Sequence, residues 1–386
     1  MLRKIKIDNY KMFRDFELDF TDGITLICGP NGSGKSALRE VLFVISNFLA
    51  IPDVTERVAK SVISSFPYEV FCRWMPQKNG YNDIRIYFEI DGINESGENV
   101  YYIYDLTVRY SFSDRKSRVH EESLIVRTID ETKKIVSFIN GDLTIFTENG
   151  NMLNFYADQN ISGLVTASRN NSKIKLFGEL ITKIIAVYLT PALIAQDFTV
   201  GSQTIGSQGE YFTAWNFQKL NRQPHKQIMV FEQCKSFIPG FIAVYYNSIG
   251  DSYRCKASVE YNGKSYELAL NELSDGQKIL FALYSIIINV PDGSILLIDE
   301  PENFLAPTEL QPWLDAVNDA WEERNIQFIL ITHNPKTLNW YHKEAIIFSI
   351  VDEPPRIEDV KNSNDTDETL FEKLCEMEWL RNDTKS

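Results

Sequence analysis

The sequence predicts an α/β protein with a parallel sheet at its core, an antiparallel β subdomain and a helical insertion. Three patterns lead to this prediction. The apolar run Ile24–Cys28 is followed by a glycine-rich loop and then, over residues 36–49, by apolar residues at helical spacing. Short alternating segments separated by turn pairs fill residues 66–146. Between residues 274 and 350, helical segments alternate with apolar strands, which is typical of parallel α/β sheets.

The remaining elements follow from the same periodicities. Strands are predicted at residues 2–8 and 16–20, before the buried run, and again at 242–246 and 255–261. Residues 160–245 read as mainly helical, with 176–195 as the strongest helical stretch. Four parts result: an N-terminal lobe (1–150), a mainly helical insertion (151–254), a C-terminal lobe (255–350) and an acidic tail (351–386). The tail contains one amphipathic segment, Glu368–Asn382, which forms either a helix packed on its own domain or a docking helix.

Composition restricts the classes of function. The net charge of -14 excludes a uniformly basic nucleic-acid-binding body, so contact with a phosphate backbone would need a local basic patch. Two short basic clusters exist, and a solvated face is the more common reason for such clusters: Arg109, Arg115, Lys116, Arg118; and Arg169, Lys173, Lys175.

Cysteine usage and hydropathy indicate the compartment. The five cysteines are scattered, without the spacing of a disulfide framework or a zinc site, and read as reduced thiols. The longest apolar run, residues 279–290, is shorter than the ~20 residues that span a bilayer. We therefore expect a soluble cytoplasmic protein with no membrane partner.

The glycine-rich loop matches the P-loop pattern at every fixed position. Its glycines allow the backbone N–H groups to turn inward toward phosphates, with the positive end of the next helix behind them. Lys35 would bridge the β- and γ-phosphates, and the Ser36 hydroxyl would bind Mg²⁺. The sequence therefore predicts an ATP site formed by Asn31, Gly32, Ser33, Gly34, Lys35 and Ser36, with ATP and Mg²⁺ as ligands.

Two later strand ends complete the predicted chemistry. Ile295–Asp299 is an apolar strand that ends in Asp299 and Glu300, and parallel strands present such residues at the ligand edge of a sheet. Asp299 would hold the Mg²⁺ shell, and Glu300 would polarise the attacking water. His333 follows the apolar strand at 328–331, where a histidine can reach the γ-phosphate; a purely structural histidine is the alternative.

A second phosphate-binding device precedes another helix. In Leu273-Ser274-Asp275-Gly276-Gln277, Ser274 is a natural N-cap, and the segment offers a hydroxyl and free N–H groups at a helix N-terminus. Because one nucleotide site has no room for two such devices, Ser274, Gly276 and Gln277 are expected to serve the ATP of another subunit. A plain capped helix is the alternative.

The order of these motifs resembles the ATP-binding-cassette ATPases. It is most similar to the soluble RecF/SMC-like branch, which includes ATPase parts of OLD-family and other anti-phage defence proteins. The opening Asn9-Tyr10-Lys11-Met12-Phe13 looks like that branch's "Asn-Phe-Lys-Ser-Phe" start, and Asp299–Pro307 looks like its Walker B and D-loop. The resemblance covers residues 1–50 and 255–350, and it makes the first and third parts the two ATPase lobes.

The resemblance implies a head-to-head homodimer, or a higher homo-oligomer, with two sandwiched ATPs. It also implies that ATP binding closes the dimer and that hydrolysis with Glu300 as base reopens it. The D-loop departs from many relatives, with Phe304 and Ala306 where they carry His. A Q-loop glutamine is not assigned; Gln77 and Gln159 are the candidates, and surface glutamines are the alternative.

Two uses of the ATPase remain open at this level. The first is a regulatory sensor or scaffold in anti-phage defence that controls a separate nuclease-like effector, since the chain carries no nuclease motif and has no room for a Toprim domain. The alternative is a RecF-like DNA-repair ATPase that clamps DNA. Nucleic acid therefore stays open as a partner.

Overall fold

A computed structural model gives the structure of the protein, and it describes residues 1–361 with gaps at 52–53, 55–58, 76–78, 95, 148–150, 169–170, 202–203, 342–344 and 352–355. Several sequence predictions therefore lie outside the described residues. They are Gln77 as a Q-loop candidate, Arg169, Cys375, most of the acidic tail and the segment Glu368–Asn382.

The secondary structure runs in three stretches. The first contains β1 (Leu2–Asp8), β2 (Phe16–Asp19), β3 (Ile24–Cys28), α1 (Lys35–Phe48), α2 (Val62–Ser65), β4 (Tyr81–Ile93), β5 (Asn99–Ser111), β6 (Lys116–Arg127), β7 (Thr132–Ile139), β8 (Asp142–Phe146), β9 (Met152–Tyr156), α3 (Gly163–Ala167) and α4 (Ser172–Thr182). The second contains β10 (Ile184–Val187), β11 (Asp197–Phe198), α5 (Phe212–Arg222), α6 (Pro224–Phe237), β12 (Phe241–Ile249), β13 (Ser252–Tyr261), β14 (Lys264–Ala269), α7 (Asp275–Asn289), β15 (Ile295–Asp299), α8 (Pro307–Arg324) and β16 (Gln327–Ile331). The third contains α9 (Pro335–Trp340), β17 (Ala345–Val351) and β18 (Arg356–Lys361).

The chain divides into two compact units. Unit 1 consists of residues 1–184 and 333–386, and unit 2 consists of residues 185–332. Among the described residues, no helix has the length and the apolar character that crossing a membrane requires.

An eight-stranded antiparallel sheet forms a large part of unit 1. Its strand order is β2-β1-β4-β5-β6-β7-β8-β9. Along β4, the residues Ile84, Ile86, Phe88 and Ile90 are buried and their neighbours are more exposed, as the two-residue period of a half-buried strand requires. The antiparallel meander predicted for residues 66–146 is thus confirmed, and β9 extends it.

The glycine loop of unit 1 follows a strand of a second, mixed sheet, in which β3 and β17 are parallel and β17 and β18 are antiparallel. All five residues of β3 are buried, and β3 pairs in parallel with β17 in a register that places Ile27 opposite Ile346. Helix α1 follows β3 and buries one apolar face through Leu38, Val41, Leu42 and Ile45. The predicted sequence of strand, loop and helix is confirmed here.

Unit 2 places a buried parallel strand pair beside a layer of helices. Every residue of β15 and of β16 is buried, and the two strands pair in parallel. Helix α7 is buried over Lys278–Asn289 on all its faces, as is typical of a core helix. A small antiparallel sheet contains β11, β13 and β12 in that order, and β14 pairs with β13.

The helical prediction for residues 176–195 is wrong in its second half. Helix α4 ends at Thr182, and Ile184–Val187 then form the strand β10. A short buried apolar run has the same hydrophobic content whether it is strand or helix, so periodicity alone could not separate the two. The β-branched residues Ile184, Ile185 and Val187 favour the strand. Within 160–245 the described helices are therefore shorter than predicted.

Candidate nucleotide-binding site

The glycine loop has a backbone conformation that depends on its glycines. Gly29, Gly32 and Gly34 have φ values of 146°, 82° and 88°, a range that L side chains rarely adopt. At Gly29 there is also no space, since a Cβ would lie 2.3 Å from the carbonyl oxygen of Phe348 on β17. The loop can therefore turn sharply at the end of β3 only because these positions lack side chains.

Lys35 lies inside this loop. Its Nζ donates to the carbonyl oxygens of Gly29, at 2.8 Å, and Pro30, at 2.9 Å, and it lies 3.5 Å from Ser33 Oγ. Ser33 and Lys35 are buried, while Asn31, Gly32 and Ser36 are exposed. The lysine thus holds the loop curled and keeps a positive charge at its centre.

The N-terminus of α1 is available to an anion. Its N-cap is Gly34, which is left-handed and supplies no side-chain cap. The first N–H groups of a helix have no acceptor within the helix, and the helix dipole makes this end positive. With the exposed Ser36 hydroxyl in the first turn, this terminus can accept phosphate oxygens.

The opening motif supports the loop from behind. Its aromatic residues Tyr10, Phe13 and Phe16 are buried, and the Phe16 ring lies 5.3 Å from that of Phe348 on β17. Lys11 forms an ion pair with Glu40 on α1. The motif therefore joins β1, β2, α1 and β17 of unit 1 around the phosphate loop.

In unit 2, the end of β15 carries the two predicted carboxylates. Asp299 is the last strand residue and is 4% exposed. Glu300 has a left-handed backbone with φ of 50°, which is uncommon for a residue with a long side chain. Its N–H donates to the Ile331 carbonyl on β16 at 2.8 Å, and this bond fixes the turn. The strand end thus carries two successive carboxylates, and the left-handed backbone at Glu300 changes the chain direction between them.

Neighbouring side chains orient Glu300 and the nearby Glu302. Asn303 Nδ2 donates to Glu300 Oε2 at 2.7 Å and lies 3.4 Å from the hydroxyl of Tyr188. The Thr332 hydroxyl donates to the Glu302 carboxylate. Sequence reasoning missed the role of Asn303, and its only signal was a position three residues after Glu300.

The predicted signature segment forms a complete capping box on α7. Ser274 Oγ accepts from the Gln277 N–H at 3.2 Å, and the Ser274 N–H donates to Gln277 Oε1 at 3.0 Å. The Gln277 amide also donates to the Phe237 carbonyl on α6 at 3.2 Å. Gln277 therefore positions the helix start, while Ser274 and Asp275 are exposed.

Gly276 lies against the D-loop. A Cβ at this position would lie 2.7 Å from the carbonyl oxygen of Phe304. The Phe304 backbone is itself left-handed, with φ of 71°, and its side chain is exposed. The signature glycine and the segment after Glu300 are thus packed backbone to backbone, a contact that no sequence pattern indicated.

The predicted site residues are distributed over the two units. Unit 1 contains the loop residues Asn31–Ser36 and the half-buried His333, and unit 2 contains Ser274, Gly276, Gln277, Asp299 and Glu300. Of the Q-loop candidates, Gln159 is described, and its carbonyl accepts from the Val119 N–H at 2.9 Å.

Known proteins match both units. A family model described as "AAA domain" matches residues 4–188. A second model, described as "AAA domain, putative AbiEii toxin, Type IV TA system", matches residues 193–339.

Individual relatives match over short segments. The "Chromosome partition protein Smc" of Methanocaldococcus jannaschii is 49% identical over 45 residues, which are 11% of this chain and 4% of that protein. The "DNA double-strand break repair Rad50 ATPase" of Methanosarcina acetivorans is 44% identical over 43 residues, again 11% of this chain and 4% of that protein. The matches thus span a small fraction of these relatives.

A solved structure matches nearly the whole chain. The SMC head in the "Crystal structure of the SmcHead bound to the C-winged helix domain of ScpA" aligns with a TM-score of 0.51 and 16% identity, over 93% of this chain and 98% of that one. This likeness concerns the fold, and it confirms the predicted ATPase-head fold class. AAA-domain models thus match residues in both units, and the chain has the α/β fold of an SMC head.

Proposed function

We propose that the protein binds ATP with Mg²⁺ and hydrolyses it. The observation that carries this proposal is the phosphate loop itself, with Lys35 held at its centre by the carbonyls of Gly29 and Pro30. When ATP binds, the ammonium turns from these carbonyls to the β- and γ-phosphates. The exposed residues Asn31, Gly32 and Ser36 meet the nucleotide, with the N-terminus of α1 behind them.

The oxygen donors suit Mg²⁺. This small, hard cation prefers hydroxyl, carboxylate, water and phosphate oxygens, and the chain offers the Ser36 hydroxyl and the Asp299 carboxylate. Bound Mg²⁺ would neutralise charge on the β- and γ-phosphate oxygens.

The proposed base is Glu300. Its carboxylate takes a proton from the water that attacks the γ-phosphorus, and the bond from the γ-phosphorus to the leaving oxygen of ADP breaks. The hydrogen bond from Asn303 fixes one carboxylate oxygen and so orients the other. His333 is proposed to donate to the γ-phosphate.

We further propose that each site is completed by a second copy of the chain. Ser274 and Gly276 at the N-terminus of α7 would contact the γ-phosphate held by the partner's loop, and Gln277 would act by holding the helix start in its capping box. ATP then closes a dimer, and hydrolysis opens it.

Mixing two inactive variants tests this arrangement. Lys35→Ala inactivates the loop half of a site, and Ser274→Arg inactivates the other half. In an equal mixture, half of the dimers are mixed, and each of these contains one intact site. We expect about a quarter of the wild-type hydrolysis rate, because in each mixed dimer the intact loop of one copy meets the intact α7 terminus of the other at one of its two sites. A mixture as inactive as its two components refutes completion by a second copy.

The biological role that we propose is regulatory: a sensor or scaffold that holds a separate nuclease-like effector in anti-phage defence. The family model that matches residues 193–339, whose description names a toxin of a toxin–antitoxin system, supports this proposal. We expect phage resistance to require an adjacent effector gene and to disappear with Lys35→Ala. Full resistance from this chain expressed alone would contradict the role.

DNA clamping of the RecF kind is the second candidate. It is favoured by the names of the relatives, which concern chromosome partition and break repair. Against it, Arg109 and Arg118 of the first basic cluster form ion pairs with Asp83 and Asp114. ATP-dependent DNA binding that weakens steeply with salt would support this candidate, and no binding at low salt would exclude it.

A further inference from the structure

Strand β9 is an exposed and uncharged edge of the eight-stranded sheet. It is the last strand in the sheet order, and all five residues of Met152-Leu153-Asn154-Phe155-Tyr156 are exposed. The four apolar residues are between 42 and 76% exposed to solvent. An exposed apolar edge without charge is a template for pairing with another strand.

Two other edge strands of the described chain carry charges, and the uncharged edge strands β10 and β12 are partly buried, unlike β9. β2, at the opposite end of the same sheet, exposes Glu17 and Asp19, which form ion pairs with Lys4. β14 carries Lys264 and Glu267. Charged edges disfavour strand addition, so β9 lacks the charges that disfavour pairing at β2 and β14.

The backbone of β9 offers a regular row of unused groups. Next to the strand, the Thr147 N–H donates to the Asn151 carbonyl and the Ala157 N–H donates to the Gly141 carbonyl, so odd-numbered residues face β8. Alternate residues of an antiparallel strand direct both backbone groups to the same side. The N–H and C=O groups of Met152, Asn154 and Tyr156 therefore point away from the sheet.

The strand is also self-complementary. Its order is two apolar residues, a central asparagine, and two apolar residues. If two copies pair antiparallel about a two-fold axis at Asn154, Met152 lies opposite Tyr156 of the other copy and Leu153 lies opposite Phe155. Apolar residues then meet apolar residues, the two asparagines face each other, and about six backbone hydrogen bonds form.

We propose that β9 pairs with β9 of a second copy and joins two sheets into one continuous sheet. A second copy fits better than a foreign peptide because the apolar pattern is symmetric about Asn154, so a two-fold axis at this residue makes the strand self-complementary. The Tyr156 ring packs over Gly141, where a Cβ would come within 2.5 Å of it. This contact holds the Tyr156 side chain in place before a second copy binds. This association needs no nucleotide and is independent of the proposed ATPase function.

Charge variants at Asn154 test the symmetry directly. Asn154→Lys places two like charges opposite each other at the axis, and Asn154→Glu does the same with the other sign. We expect either variant to raise the dimer dissociation constant at least tenfold, because facing like charges in an interface are unfavourable. An equal mixture of the two should recover the wild-type dimer. Asn154→Ala is the matched uncharged control and should associate as the wild type does.

Sedimentation velocity without nucleotide, in a Lys35→Ala background, measures this association without ATP-driven closure. Because Asn154 is exposed, the variants should keep the wild-type melting temperature, and this is checked first. The proposal is overturned if the Lys35→Ala protein is monomeric at about 100 μM, a concentration at which even weak specific interfaces associate. It is also overturned if Asn154→Lys associates normally, or if the mixed charges do not restore the dimer. If the protein did not hydrolyse ATP, the expected association of the Lys35→Ala protein, of Asn154→Lys and of the mixed charge variants would be the same, because these measurements contain no nucleotide.

Discussion

The contact between Gly276 and the D-loop can be tested by adding one methyl group. Gly276→Ala would place a Cβ 2.7 Å from the Phe304 carbonyl oxygen, which is closer than such atoms approach in folded proteins. The obstacle is backbone, so it cannot turn aside as a flexible side chain would. Hydrogen bonds from Asn303 N–H to the Glu300 carbonyl, 3.1 Å, and from Leu305 N–H to the Glu302 carbonyl, 3.0 Å, hold the segment on both sides.

Two opposing effects determine the size of the change. Replacing glycine by alanine within a helix stabilises it by up to about 1 kcal/mol. Overpacking against a fixed backbone costs about 1–3 kcal/mol. We therefore expect the free energy of unfolding to fall by about 1 kcal/mol, or the melting temperature to fall by about 2–4 °C for a unit of this size.

The assay combines thermal unfolding without nucleotide with hydrogen exchange at the amides of residues 300–306. Exchange should accelerate there, because the D-loop must shift to admit the methyl group, and the ATP turnover rate should fall with it. Gly201→Ala is the control, since a Cβ at Gly201 has no neighbour within 4 Å. If Gly276→Ala melts at a higher temperature and residues 300–306 exchange unchanged, the packing argument is wrong.

Three further changes probe the nucleotide site and the buried carboxylate of Glu122 in β6. Lys35→Ala should weaken ATP binding at least a hundredfold in calorimetry, and Lys35→Arg should not restore it, because a planar guanidinium does not fit between the carbonyls that the ammonium contacts. Glu300→Gln should retain ATP, remain dimeric in light scattering and lose about 10²–10⁴ in turnover, the usual contribution of a general base; normal turnover would remove Glu300 from this role. Burial raises the pKa of Glu122, although four hydrogen-bond donors oppose this shift. The folded protein therefore holds this proton more tightly than the unfolded chain does, and the free energy of unfolding falls as pH rises through that pKa. In urea unfolding, Glu122→Gln should lack this dependence of stability on pH.

Much of the nucleotide loop could be predicted from sequence because its constraints are local. Glycines at 29, 32 and 34 are required by the positive φ angles of the turn itself, and Lys35 reaches back across six residues to Gly29. Strand, loop and helix follow one another along the chain, and the long-range contact between Gly29 and Phe348 adds to the local requirement for glycine. The periodicities on either side therefore led to the correct elements.

Features that depend on packing between distant segments were not predicted. The strand β10 has the apolar content of the helix before it, so hydrophobic periodicity does not separate the two, and the β-branched residues of β10 are only a weak local signal. Gly276 was chosen for phosphate contact, yet its Cβ is excluded by a loop that lies 28 positions away along the chain.

Glu122 illustrates the same limit inside the meander. The burial pattern of β6 changes phase between Val119 and Glu122, where the pairing with β5 shifts register. Such a bulge turns the following side chains to the other face, so a carboxylate that alternation would place outside becomes buried. There it accepts hydrogen bonds from Tyr104, Ser162 and the N–H groups of residues 163 and 164.

The two proposed modes of self-association have a joint consequence. ATP-dependent closure uses the loop residues around Lys35 and the α7 terminus at Ser274, whereas sheet pairing uses β9, which is far from both in sequence and needs no nucleotide. Each mode is isologous and by itself yields a dimer, but a chain with two different isologous surfaces links more than two copies. Wild-type protein with ATP should therefore form a larger assembly than either Asn154→Lys with ATP or wild type without it. If all three have the same mass, the two modes share one surface and the symmetric pairing at Asn154 is wrong.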